Sequence, residues 1–171
     1  MKTRHAARSR KTGRTATHTA GARRMKSGPR ILSLKQPWAW AVAAGKKTIE
    51  NRTWSTPYRG TVYIHASSKL DRAAIDWLRD QAQATPPAEF VHGAVIAVVE
   101  IVDVLTQPDA AAFAPWFFGP YGFVLANIRP LRTPVPEKGR LGLSRASDDL
   151  RRRVARALLS TEQHRSRPAC S

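Results

Sequence analysis

The chain has 171 residues, with 29 Lys+Arg against 12 Asp+Glu and a formal net charge of +17. That length suits one domain with a sizeable core, and a single cysteine, Cys170, excludes a disulfide framework. No apolar run approaches the ~20 residues of a spanning helix and no apolar segment follows the basic start, so the reading is a cytoplasmic, reducing-compartment chain, neither secreted nor membrane-bound, whose charge points to polyanions.

Residues 1–30 carry ten Lys/Arg and no acid, and their only apolar side chains are Ala and Met. They read as a disordered basic tail, either a nonspecific phosphate-binding arm or a solvated leader. Met25 is the only internal methionine and marks an alternative start.

The ordered pattern begins with a strand at Ile31–Lys35. Pro37 and Gly45 bracket a helix of about two turns. Lys46 to Trp54 alternates, with β-branched and aromatic residues, and predicts a strand. Ser55–Gly60 is a turn and Thr61–Ala66 a strand. Residues 70–82 have helical apolar spacing at Leu70, Ala74, Trp77 and Leu78, with Ser68 to Asp71 as a capping box. His92–Leu105 reads as a central strand buried on both faces, with a bulge between Glu100 and Asp103. Tyr121–Ile128 is another strand, after which Pro130, Pro134 and Pro136 keep the chain extended near an edge. Leu141–Leu143 is a last short strand. Ser147 then caps a helix with Asp148 and Asp149 in its first turn. Leu150, Val154, Ala157 and Leu158 form its apolar stripe, and Arg151, Arg152, Arg153 and Arg156 its basic face.

The order β-α-β-β-α-β-β-β-α excludes a doubly wound parallel fold. It predicts an α+β domain: a small mixed, mostly antiparallel sheet curled into a β-barrel and flanked by two or three helices. The divisions are a tail over 1–30, the domain over 31–146, and a basic C-terminal helix and tail over 147–171.

The chemistry concentrates in 34–68. Lys35, Gln36, Lys46, Lys47, Thr48, Arg52, Arg59, Gly60, His65 and Ser67 interleave with Trp54 and Tyr58, as single-stranded nucleic acid requires: cations follow phosphates and rings stack on bases. Lys35, Lys47, Arg52 and Arg59 are the phosphate ligands in this reading, and Trp54, Tyr58 and Trp116 the stacking candidates. Trp38, Trp40 and Trp77 read as core. Glu50 either pairs with Lys47 and Arg52 or accepts from a base amino group. Strict alternation puts Lys47 and Glu50 on opposite faces, and only a bend at Gly45–Lys47 would restore their contact. His65 is open between a structural and a catalytic role. The histidines show no ligand spacing, so neither metal nor cofactor is expected.

Leu34-Lys35-Gln36-Pro37-Trp38-Ala39, Gly45-Lys46-Lys47-Thr48-Ile49-Glu50-Asn51-Arg52, Tyr58-Arg59-Gly60 and Ile64-His65-Ala66-Ser67 together resemble the ASCH domain of the PUA-like superfamily, over about 31–143. The resemblance implies a helix-flanked β-barrel, a cleft beside the Gly45–Arg52 segment, and RNA or nucleotide binding. Some small relatives are similar to amidohydrolases that deacetylate N4-acetylcytidine with a Lys, a Thr three residues on, and a Glu. Here the Lys falls on Lys47 and the Thr position holds Glu50, so hydrolysis would need water as nucleophile. A ribonuclease reading would use His65, Lys47 and Glu50 as acid, charge stabiliser and base. The expected partner is RNA or another nucleic acid. Acidic proteins bound through the basic tails are a third reading, and the oligomeric state is left open.

Overall fold

The structure is a computed structural model that describes residues 28–82, 84–106 and 113–165. All but the last three residues of the expected tail, and Met25 with them, lie outside the described residues. Among the described residues nine elements follow in the order read from the sequence: β1 (Arg30–Gln36), α1 (Trp38–Ala43), β2 (Ile49–Arg52), β3 (Gly60–Leu70), α2 (Arg72–Asp80), β4 (Ala94–Thr106), β5 (Tyr121–Pro136), β6 (Leu143–Arg145) and α3 (Asp148–Arg165).

The strands form one sheet in the order β2-β5-β4-β3-β1-β6. Every neighbouring pair is antiparallel except β1 with β3. The expected barrel does not close: β2 and β6 remain edges. The sheet nevertheless curls enough for Arg52 on β2 to donate from Nη2 to the Ser33 carbonyl on β1 at 3.1 Å, four strand positions away. Closure depends on pairing two short strands from opposite ends of the chain, which no local pattern encodes.

Each face of the sheet carries its own core. Leu32, Leu34, Ile64, Phe123 and Leu125 pack with Val42 of α1. Ile31, Tyr63, Val95, Val98, Leu131 and Val135 pack with Leu150 and Val154 of α3. Successive side chains of β1 therefore enter opposite cores, which explains an apolar run in place of alternation. Burial on both faces holds for β4 over Ala94–Val99, while its far half opens to solvent. The register shifts between Ile101 and Asp103, where the sequence pointed to a bulge, and also at Val95/Ala97 and Val98/Glu100.

Two boundaries differ from the sequence reading. β5 runs on through its prolines to Pro136. They are tolerated because β2 pairs only with Tyr121–Val124, so the rest of β5 has a partner on one side alone. β3 extends through Leu70, so the cap of α2 is Asp71 and not Ser68. At α3, Ser147 Oγ accepts from the Leu150 amide as expected. The helix is no appendage, since Leu150 and Val154 are fully buried against the sheet.

Gly122 sits where β5 crosses β2. A Cβ there would lie 2.5 Å from Ile49 Cδ1 and 3.1 Å from Phe117 Cε2. Ile49 is buried and β-branched, so it has little room to yield. We expect Gly122→Ala to destabilise the fold by about 1–3 kcal/mol, read from urea denaturation. A change below about 0.5 kcal/mol, the size of a bland surface substitution, would show that the strands can separate freely here.

Candidate functional site

The site is built around the turn that follows α1. Gly45 has φ +70°, and the amides of Lys46 and Lys47 both donate to the Ala41 carbonyl. This bend delays the strand to Ile49 and turns Lys47 inward. Lys47 and Glu50 therefore meet, which strict alternation from residue 46 would have prevented: Nζ lies 2.7 Å from Glu50 Oε2. Nζ also donates to the Ile49 carbonyl. The other carboxylate oxygen, Oε1, lies 3.1 Å from Arg52 Nη2. Lys47 is 1% exposed and Glu50 is 7% exposed, so the pair is withdrawn from water. Burial pushes the Lys47 ammonium below its ordinary range, and the Glu50 carboxylate partly opposes that shift.

Above this pair opens a cleft of about 600 Å³. Its walls carry five cations (Lys35, Lys47, Arg52, Lys69 and Arg140) against two carboxylates, Glu50 and Asp71. The field in the cleft is thus positive even with Glu50 paired. Two rings border it. Trp38 lies under Lys47 Nζ at 5.9 Å, and Phe118 is 6.1 Å from Trp38 at a 52° tilt. Phe118 is 58% exposed. Asn51 holds it there: its Nδ2 donates to the Trp116 carbonyl, and its Oδ1 accepts from the amides of Phe118 and Gly119.

Of the residues read from the sequence, Lys35, Lys47, Glu50, Arg52 and Ser67 come together around this cleft. Gln36 is buried beneath α1, accepting from the Trp40 amide and donating to the Val91 carbonyl. Lys46 and Thr48 are exposed on the turn and do not line the cleft. Trp54 packs edge-on against Phe123 at 5.1 Å. Tyr58 is 6% exposed, and its hydroxyl donates to the Thr61 carbonyl. Trp54 is half-buried, and both rings pack on the core and do not line the cleft. Gly60, at φ +133°, passes under the Tyr58 hydroxyl and does not line the cleft. Arg59 is exposed and pairs with Asp103. His65 is buried under Gly139, donating from Nε2 to the Glu137 carbonyl at 2.9 Å.

The sequence reading missed Trp38 as a cleft wall, and with it Asn51, Phe118, Lys69, Asp71 and Arg140. The aromatic run at 113–118 was the available signal for Phe118. Among the described residues, no group of His, Cys, Asp or Glu is arranged to hold a metal ion, and no helix is long and apolar enough to cross a membrane.

Fold and site define a helix-flanked α+β domain with a cationic, aromatic-walled cleft. The ASCH domain model matches residues 32–143, and the chain belongs to that family, with its PUA-like fold. The chain is similar to activating signal cointegrator 1 of Homo sapiens, at 28% identity over 123 residues, and of Mus musculus, at 32% over 123. In each case the match covers 63% of this chain but spans only 20% of the relative. A crystal structure of a mutant ASCH protein from Zymomonas mobilis shares the fold, with a TM-score of 0.51 at 14% identity, covering 75% of this chain and 94% of that one.

Proposed function

We propose that this chain binds nucleic acid, RNA by preference, and seats a nucleotide in the cleft. The observation that carries the reading is the joining of cations and ring faces in one cavity. Lys35, Lys69, Arg52 and Arg140 suit phosphate oxygens, and Trp38 and Phe118 suit a base. The volume is of ligand-site size. The stacking role thus moves from Trp54 and Tyr58 to Trp38 and Phe118.

A second reading is favoured by the buried Lys47–Glu50 pair. A desolvated ammonium beside a carboxylate can hand a proton to and from a leaving group, so the cleft could hydrolyse a modified nucleoside or RNA with water as nucleophile. His65 plays no part in this version, because its ring is sealed beneath Gly139.

Both readings are tested in one series. Single-stranded RNA binding is measured from 50 to 300 mM salt for the wild type and for Lys35→Ala/Lys69→Ala, two exposed rim cations. Removing each phosphate-binding cation should flatten the log–log salt slope by about 0.7. An unchanged slope and affinity would remove the cleft from the binding surface. RNA integrity and free nucleosides are read from the same samples, where product formed by the wild type and absent with Lys47→Ala is the result the hydrolase reading requires.

A further inference from the structure

Two carboxylates face the cleft, and they are not equivalent. Glu50 has both oxygens committed, to Lys47 at 2.7 Å and to Arg52 at 3.1 Å. Asp71 stands differently. Its amide donates to the Gln36 carbonyl at 2.6 Å, which ties its backbone to the end of β1. Its Oδ1 caps α2 by accepting from the Ala74 amide. Its Oδ2 has only a long contact, 3.4 Å, from Trp38 Nε1. Among the described residues Asp71 has no ion-pair partner. One carboxylate oxygen is therefore held in place, half-buried, at the edge of the ring that walls the cleft, with most of its accepting capacity unused.

We propose that Asp71, and not Glu50, determines base specificity in the cleft, selecting bases that present an exocyclic amino group: cytosine over uracil. The inference rests on the nucleic-acid reading of the same cleft. A base stacked on Trp38 brings its edge to Asp71 Oδ2. The cytosine 4-amino group donates to that oxygen, forming a charge-assisted hydrogen bond. Uracil offers a carbonyl oxygen at the same place, so two acceptors face each other and the carboxylate is desolvated without a donor. A site of this kind rejects the wrong partner through the group it leaves unpaired.

The test compares C and U homopolymer RNA heptamers at pH 7.5 on the full chain. The wild type is expected to bind the C heptamer about tenfold more tightly, the worth of one charged hydrogen bond. Asp71→Asn keeps a capping oxygen, since Asn caps as well as Asp, and turns a donor toward the cleft. It should retain the wild-type melting temperature and lose or invert the preference. Asp71→Ser keeps a capping hydroxyl and leaves nothing at the Oδ2 position, so it should bind the two heptamers equally. Equal binding of C and U by the wild type, or an undiminished C preference in both variants, overturns the assignment while leaving RNA binding intact. Binding indifferent to Lys35→Ala/Lys69→Ala overturns the assignment together with the reading beneath it.

Discussion

Replacing Glu50 with alanine is expected to cost about 3–5 kcal/mol of stability, the usual penalty for stranding one member of a buried pair. Lys47 is 1% exposed and would keep only the Ile49 carbonyl and the Trp38 ring as partners. Lys47→Met should cost far less, because Glu50 still has Arg52 and the methionine fills the lysine's volume. The pH dependence separates this account from simple loss of packing. Burial already lowers the Lys47 pKa from 10.5, and Glu50 opposes it. Without Glu50 the folded-state pKa falls further, while the unfolded chain keeps its ordinary value. Between the two values the unfolded state binds more protons, so stability rises with pH there, and below the folded value the full penalty applies. Urea denaturation of Glu50→Ala at pH 7 and pH 9.5 should show part of the loss recovered at the higher pH, and more than wild type gains. A loss below about 1 kcal/mol with no pH recovery would mean that Lys47 reaches water and that no buried pair organises the cleft.

The second large effect lies far from the cleft. Leu150→Ala is expected to cost about 2–5 kcal/mol. Leu150 is fully buried with Ile31, Tyr63, Val95 and Val98, although it stands beyond the 32–143 span that matches the family. Shortening it opens a cavity between α3 and the sheet. α3 is also tied to the end of β5, since Arg153 bonds Glu137 at 2.6 Å and the Pro136 carbonyl at 2.6 Å. A cost under 1 kcal/mol by urea denaturation would mark α3 as an addition to a domain that is complete without it.

The order of the nine elements was legible because each is announced locally. Apolar runs mark β1 and β4, Pro37 and Gly45 bracket α1, and Ser147 with Asp148 and Asp149 opens α3. The bulge after Ile101 was legible from two acids at odd spacing. The open sheet edge was not, because pairing of distant strands decides it. At the site, the identity of Lys47, Glu50 and Arg52 was readable, but their contact was not. It depends on two amides converging on Ala41 behind a left-handed glycine. Which aromatics border the cleft was hidden for a similar reason. Turn position suggested that Trp54 and Tyr58 are exposed, whereas long-range packing buries Tyr58 and half-buries Trp54. Asn51, reaching 65 residues along the chain to Trp116, keeps Phe118 out in the cleft instead.

The most direct test of the central claim is ultraviolet crosslinking of single-stranded RNA to the full chain, with the attached residues mapped by mass spectrometry. Crosslinks at Trp38 or Phe118 that vanish at high salt are the predicted result. Crosslinks confined to residues 1–30 or to α3, with none around the cleft, would contradict it.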